Sequence, residues 1–291
     1  MQISKSVLAV VLLFSLVLVP SVYAESDFTD TAAMMGLGMG ARALGMGGAH
    51  IAVKNHAAVI YYNPAGLATV DGFQATSLYT SQYGSAGYLA LGAAGRNMGG
   101  ALLRLSSSGI EERDEYGNVI GTFGVGETAL IGGYGRRIVP GLSLGASVKY
   151  YMQNLPDNEG SGITADLGLL YEVVEDKVAF GIVGRNVVGN VTYSSGTKDA
   201  FDRVFGFGGS FVPIDNLLVA VDAVIHEGFS GRLGLEYTFH QVAIRAGGSF
   251  GSESFLTVGA GFAVENFSVD YAYQHHNLLP DSHKMSFSIK F

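Results

Sequence analysis

Cysteine and tryptophan are absent from the 291 residues, and only 14% of the residues are charged. Without cysteine no disulfide framework is available, so stability must come from a large core or from many backbone hydrogen bonds. No run of eighteen apolar residues occurs after residue 24, which excludes a transmembrane helix there. The net charge is −8, and no basic patch is available for nucleic acid.

The first 24 residues have the pattern of a secretory signal peptide. Lys5 is their only charge, residues 7–19 form an apolar run, and Ala24 stands at a small-residue cleavage position. A membrane anchor is the alternative, but the run is short and no stop-transfer charge cluster follows it. We therefore expect cleavage after Ala24 and a mature chain that leaves the cytoplasm.

Apolar residues after the signal are numerous but nowhere continuous. The mean hydropathy is +0.30, so the apolar residues must be spread by alternation, as on strands with one face toward lipid and the other toward a lumen. In 141–153, for example, Leu144, Val148 and Tyr150 alternate with Ser147 and Lys149. A soluble β-sandwich has the same period, so the alternation alone does not decide the fold.

The connections favour a barrel over a sandwich. Tight turns alternate with longer loops, which is the pattern of outer-membrane barrels, and this places both ends of the barrel at the tight-turn, periplasmic side. The sequence predicts an all-β fold, a 14-stranded antiparallel transmembrane β-barrel over 73–291. Its strands are expected at 73–82, 86–96, 97–107, 124–138, 141–153, 162–174, 177–187, 202–213, 216–226, 229–240, 241–250, 254–264, 266–276 and 284–291.

The last strand alternates strictly and ends on Phe291. It resembles the closing strand that barrel-assembly machinery recognises in the outer membrane, which makes that machinery an expected partner. Aromatic residues near strand ends suit an interfacial girdle. They are Tyr83, Tyr88, Tyr150, Tyr171, Tyr237, Phe239 and Tyr273.

Residues 25–72 do not alternate and are rich in Gly and Ala. A short helix is expected over 56–61, ended by Asn63-Pro64. A barrel of fourteen strands is wider than the eight-stranded barrels that side chains can fill. We therefore expect this segment to fold inside the barrel as an N-terminal hatch, or plug.

Two motifs in this segment resemble the hatch of the FadL-like outer-membrane proteins, most closely their PorV/PorQ-type branch. The first holds Gly40, Gly45, Gly47 and Gly48, and the second holds Asn63, Pro64, Ala65 and Gly66. The resemblance implies a barrel for passive transport of small hydrophobic compounds. The alternative is a PorV-like component that binds or shuttles secreted proteins in a type IX-like secretion system.

Alternation places charged residues toward the lumen, because a lipid-facing Arg or Lys at mid-depth costs about 2–4 kcal/mol. A network that braces the hatch and a polar pathway are both compatible with this placement. The expected lumen-facing charges are Arg104, Lys149, Asp166, Glu172, Arg185, Asp222, Arg232, Glu236, Arg245 and Asp270.

Other motifs carry no function. The glycine repeat lacks a surrounding βαβ unit, so no cofactor is expected. His275, His276 and His283 flank one loop acid, Asp281, and no metal site is expected from them. No catalytic triad spacing is evident, so no enzyme activity is expected. The predicted location is the bacterial outer membrane, with membrane lipid and hydrophobic small molecules, or secreted proteins in the alternative, as partners.

Overall fold

Fourteen antiparallel strands form a closed barrel in the computed structural model of the chain, which describes residues 31–82, 84, 86–156, 158–252, 254–276 and 279–291. The first barrel strand pairs with the last, from Gln74↔Lys290 to Thr80↔Lys284, and this pairing closes the ring. The predicted fold class and strand number are confirmed. The expected signal peptide, residues 1–24, and the first hatch residues, 25–30, lie outside the described residues.

Two further short strands lie in one connection, so the described ranges hold sixteen strands. They are β1 (Phe73–Gln82), β2 (Ala86–Gly95), β3 (Met98–Arg113), β4 (Val119–Val139), β5 (Leu142–Leu155), β6 (Asn158–Val174), β7 (Val178–Arg185), β8 (Asn190–Tyr193), β9 (Lys198–Ala200), β10 (Val204–Ile214), β11 (Leu217–Ile225), β12 (Phe229–Phe239), β13 (Val242–Gly251), β14 (Phe255–Val264), β15 (Phe267–His276) and β16 (Ser282–Lys290).

The two ends of the barrel differ. One end, called the turn end, holds short turns such as Arg96-Asn97, where both residues have positive φ (53° and 68°) as type I′ hairpins require. Residues 73 and 291 also lie there, joined by hydrogen bonds of 2.8 and 3.3 Å between their backbones. The opposite end, called the loop end, carries longer connections such as 114–118 and 186–203.

Two expected loops contain more strand than predicted. Strands β3 and β4 continue to Arg113 and from Val119, with Ile110 paired to Phe123, so only 114–118 remains as a turn. Alternation did not reveal this extension because most of its residues are polar or exposed on both faces, with Ile110 and Phe123 as half-buried exceptions. The expected loop 188–201 holds the hairpin β8–β9.

The outer face carries an apolar belt. Residues such as Tyr79, Leu130, Val148 and Phe287 are exposed there, as a lipid-facing surface requires. Tyr88 is an exception to the predicted girdle, since it is fully buried and its hydroxyl donates to the Gly38 carbonyl at 2.9 Å. In the part of the chain that the structure describes, no helix is long and apolar enough to cross a membrane.

Residues 31–72, called the N-terminal segment, lie against the inner face of the barrel. They form two short helices, α1 (Ala41–Gly45) and α2 (Val59–Tyr62), each next to a 3-10 turn, Ala33–Gly36 or Pro64–Thr69. Asn63 is extended and follows α2, as expected. Nearly all apolar residues of this segment are buried, so the segment fills the barrel interior.

Candidate functional site

The candidate site is the contact between the N-terminal segment and the inner wall. All but one of the charged residues expected to face the lumen lie on the inner face, and they come from strands on several sides of the barrel. They are Lys149, Asp166, Glu172, Arg185, Asp222, Arg232, Glu236, Arg245 and Asp270.

Arg104 is the exception, and the expectation that it faces the lumen is wrong. It is exposed on the outer face, between the inward Leu103 and Leu105. Its partner across the strands is Leu89, three residues from the loop-end start of β2. The cost of a lipid-facing cation depends on its depth and falls to about 0–1 kcal/mol near the membrane interface.

A buried ion network joins α1 to the wall. Arg42 donates to both carboxylate oxygens of Glu236, at 2.8 Å from Nε and 2.6 Å from Nη2. Arg245 lies on the neighbouring strand and contacts Glu236 at 2.6 Å and Asp270 at 2.8 Å. Two cations and two carboxylates therefore balance one another in the interior, where unpaired charges would be costly.

Backbone groups of the segment also bind wall side chains. One carboxylate oxygen of Asp222 accepts the N–H groups of His50 (2.7 Å) and Ile51 (3.0 Å). The hydroxyl of Thr257 accepts from Gly47 N–H and donates to the Gly45 carbonyl, both at 3.0 Å. Residues 46–52 lack regular secondary structure, so these wall side chains pair with backbone groups that a helix or strand would otherwise satisfy. Sequence patterns gave no signal for Thr257, a neutral residue of an ordinary strand.

The motif Asn63-Pro64-Ala65-Gly66 forms a fixed turn against β4, β5 and β6. The Asn63 amide donates to the carbonyls of Ile51 and Leu169, both at 3.0 Å, while its oxygen accepts from Ala65 N–H at 3.1 Å. Asn63 thus starts the 3-10 turn and joins it to β6. Pro64 at the first position of this turn loses no hydrogen bond.

Wall glycines allow this turn to approach the strands closely. A Cβ on Gly145 would overlap Pro64 and Ala65, and a Cβ on Gly168 would overlap the Asn63 oxygen. Gly135 also meets the Pro64 carbonyl. The three glycines lie on neighbouring strands and form a surface on which the motif lies.

The glycines of the N-terminal segment have separate local roles. Gly40, Gly47 and Gly48 have φ of 83°, 66° and 75°, which favours glycine. A Cβ on Gly47 would also overlap the backbone of Gly248. Gly45 is different, because a Cβ there would meet only ordinary contacts, including Ala272 Cβ at 3.5 Å.

Lys54 joins the segment to the wall at the turn end. Its Nζ lies 2.6 Å from Glu172 and 3.0 Å from Asp176, and Glu172 also pairs with Arg137 at 3.0 Å. Asp176 and Arg137 are largely exposed. Water and salt therefore weaken the ion pairs of Asp176 and Arg137 more than those of the buried Arg42 network.

Apolar side chains of the segment fill much of the interior beside β1 to β5. Met34, Met35 and Met39 are buried and belong to one cluster with Tyr61, Tyr88 and wall residues of β1 to β5. Met39 reaches the wall at Gly92, where a Cβ would overlap its terminal methyl group. The barrel interior is thus closed by residues that belong to the N-terminal segment.

Two histidines of the segment are held neutral. Burial, with a smaller contribution from the Arg42 charge, lowers the pKa of His56 to about 3 and the pKa of His50 well below its ordinary value of 6.5. The Nδ1 atom of His56 accepts from Ala58 N–H at 3.1 Å. In the described part of the chain, neither ring nitrogen of His50 has a hydrogen-bond partner.

The loop histidines contact neighbouring side chains. His275 contacts Asp281 at 2.8 Å and His283 contacts the Tyr271 hydroxyl at 2.6 Å. Among the residues that the structure describes, no group of three His, Cys, Asp or Glu side chains could hold a metal ion.

Solved structures with the same fold are channels. The barrel is similar to the Pseudomonas putida toluene transporter TodX, with a TM-score of 0.65 and 14% identity over 87% of this chain and 99% of that chain. A deltaS2S3 mutant of TodX, described as a monoaromatic hydrocarbon channel, gives a TM-score of 0.60 and 15% identity over the same shares. No protein-family model and no curated protein matches the sequence.

Proposed function

We propose that this protein is an outer-membrane channel of the FadL-like type for passive movement of small hydrophobic compounds, with the N-terminal segment as its hatch. The observation that carries the proposal is the closed interior. A separate segment fills the barrel and is held by polar contacts at a few points, among them Arg42–Glu236 and Asp222 with His50 and Ile51.

The alternation of turns and loops supports an orientation with the loop end outside the cell and the turn end in the periplasm. The buried Met34, Met35 and Met39 give the interior an apolar surface that an entering compound can contact, and the ion network around Arg42 lies in the same interior. Passage of the compound then requires the segment to move away from the wall.

The chemistry of the cargo follows from this interior. Methionine, tyrosine and aliphatic side chains offer dispersion contacts and few fixed polar groups, which suits a small apolar compound. The barrel has the fold of the toluene transporter TodX. For this chain we propose only the chemical class of the cargo, small hydrophobic compounds. We propose no catalytic role.

The remaining parts of the proposal concern the chain ends. Residues 1–24 act as a signal peptide, 25–72 as the hatch and 73–291 as the barrel. Phe291 is exposed at the turn end, beside Phe73, with ring centroids 5.8 Å apart. This position leaves it accessible to barrel-assembly machinery. Asn63-Pro64-Ala65-Gly66 serves as the fixed attachment of the hatch, about which the Arg42 side of the segment moves.

The test uses a reversible disulfide cross-link. The sequence holds no cysteine, so only the introduced pair can form a disulfide within the chain. Gly45→Cys with Ala272→Cys places two Cβ atoms about 3.5 Å apart, within disulfide geometry, and joins the segment to β15. Uptake of a labelled monoaromatic compound is measured in cells that carry the variant in their outer membrane, because a plain phospholipid bilayer passes such compounds unaided. Oxidation should abolish protein-dependent uptake, and reduction should restore it.

Ala263→Cys with Ser268→Cys is the matched control, since these positions face each other on adjacent strands that stay paired. Oxidised control protein should take up the compound as the unmodified protein does. Uptake that persists after oxidation of the Gly45–Ala272 pair would contradict a moving hatch. If barrels without uptake instead recover exported proteins in a pulldown, the PorV-like alternative replaces transport.

A further inference from the structure

The connection between β7 and β10, residues 186–203, lies at the loop end of the barrel, where it pairs with β6 beyond the end of β7. Its first strand, β8, pairs with the loop-end half of β6 through only three residue pairs, Gly160↔Tyr193, Ser161↔Thr192 and Gly162↔Val191. Within the described residues β9 pairs with β8 alone. Ser194 N–H also donates to the Glu159 carbonyl at 2.8 Å and Val187 N–H donates to the Ala165 carbonyl at 2.9 Å, so the backbone contacts of this connection with the barrel wall are to β6.

Apolar side chains of this hairpin point into the barrel. Val191 is fully buried, and Phe201, just after β9, is 2% exposed. The Phe201 ring lies perpendicular to Tyr151 with a centroid distance of 6.0 Å. Both residues belong to the same apolar cluster as Met34 and Met39. A loop that only connected two strands would expose these side chains to water.

One residue joins both ends of the connection. Asn186 N–H donates to Asp166 at 2.9 Å, its amide group donates to the Asp202 carbonyl at 3.0 Å, and its oxygen accepts from Lys149 at 3.0 Å. Lys149 and Asp166 form a buried ion pair at 2.8 Å. The base of the hairpin is thus fixed to the wall, while its tip is held by β6 pairing and by Phe201.

We propose that residues 187–201 are a lid over the loop end of the barrel, which opens when Phe201 leaves Tyr151 while Asn186 stays in place. The lid is a second closure in series with the hatch, because its contacts are to β5 and β6, whereas α1 of the hatch contacts β13 to β16. The lid does not depend on which compound is carried.

Two single cysteines separate lid opening from hatch movement. Thr164 is fully buried on the inner face of β6, and Gly189 of the lid lies beside it, with an added Cβ 3.5 Å from Thr164 Cα. Ser249 is also fully buried, but on β13, next to Gly248 under Gly47 of the hatch. Thr164→Cys therefore reports on the lid, and Ser249→Cys reports on the hatch.

The experiment measures maleimide labelling of each variant in folded barrels in detergent or vesicles. Phe201→Ala should raise the labelling rate of Thr164→Cys by about tenfold or more, because it removes the buried ring that packs against Tyr151, and it should leave Ser249→Cys unchanged. A disulfide between Ser161→Cys and Thr192→Cys, both exposed and opposite each other, should suppress Thr164→Cys labelling until it is reduced.

Two results would overturn the lid. One is Thr164→Cys labelling that is indifferent to the Ser161–Thr192 disulfide. The other is an equal rise at Thr164 and Ser249 in Phe201→Ala, which would show that the substitution loosens the whole barrel. Heat-modifiable electrophoretic mobility of every variant establishes that the barrels are folded. Failure of the Gly45–Ala272 cross-link to block uptake leaves this test unaffected, so the two proposals fail separately.

Discussion

Arg42 of the N-terminal segment and Glu236 of strand β12 form a two-point ion pair across the barrel interior. Both carboxylate oxygens of Glu236 accept from the guanidinium, at 2.6 and 2.8 Å. Glu236 also pairs with Arg245, which in turn pairs with Asp270. The segment is thereby joined to a charge network that the wall already contains, and this gives the attachment a fixed position.

Replacing Arg42 by Ala should loosen the segment without unfolding the barrel, because Glu236 keeps Arg245 as a partner. The loss of charge-assisted hydrogen bonds should cost about 1.5–3 kcal/mol of segment attachment. Labelling of Ser249→Cys at neutral pH should rise by about tenfold or more. Arg137→Ala is the matched control, since its pair with Glu172 is half exposed and worth less than about 1 kcal/mol. Equal effects of the two substitutions would contradict the buried network as the main attachment.

Gly145→Ala should displace the Asn63-Pro64 turn, because the added methyl group overlaps Pro64 and Ala65. Overpacking of this kind costs about 1–3 kcal/mol, and we expect a lower thermal midpoint and faster hydrogen exchange at residues 63–67. Gly132→Ala is the control, since a Cβ there meets nothing within 4 Å. A Gly145→Ala protein with unchanged exchange in this stretch would show that the turn does not rest on that glycine.

Alternation and turn chemistry predicted much of the fold. The period of two in 141–153 gave the inner and outer faces of β5, and the positions of tight turns such as Arg96-Asn97 gave the barrel topology. The Asn63-Pro64 sequence also located the end of α2, because proline restricts the residue before it.

Features that depend on three-dimensional contact could not be predicted. Thr257 and Asn186 carry no sequence signal, since their roles come from chain segments that are distant in sequence. Tyr88 and Arg104 show the limit of alternation in another way. Tyr88 alternates as a girdle residue would, yet the hatch supplies an inner partner for its hydroxyl. Arg104 faces outward because its neighbours on β3, Leu103 and Leu105, take the inner positions of the apolar cluster.

Acid should release the hatch through its neutral histidines. The pKa of His56 is about 3 in the folded segment and about 6.5 when the segment is detached, so the detached state gains protons as the pH falls below 6.5. Attachment is full above pH 6.5 and weakens progressively between pH 6.5 and 3. The charges that act on His56 are those of Arg42, Glu236 and Arg245.

Ser249→Cys labelling should therefore rise between pH 7.5 and 5, by at most about tenfold per pH unit for a single histidine. Labelling is normalised to the exposed Ser108→Cys, which reports thiol reactivity alone. The double substitution His50→Gln, His56→Gln should flatten the dependence. A pH profile that survives both substitutions would assign the effect to carboxylates of the wall.

Arg104 and Arg245 provide the last prediction, because both are barrel arginines but they face opposite sides of the wall. Arg104→Leu should be neutral or slightly stabilising, since it removes a cation from the lipid-facing surface near the interface, where the cost is about 0–1 kcal/mol. Arg245→Leu should destabilise by about 3–5 kcal/mol, since it takes the wall partner from the buried carboxylates Glu236 and Asp270. Urea unfolding of both variants in lipid vesicles measures the difference. An Arg104→Leu barrel that loses as much stability as Arg245→Leu would place Arg104 in the lumen after all.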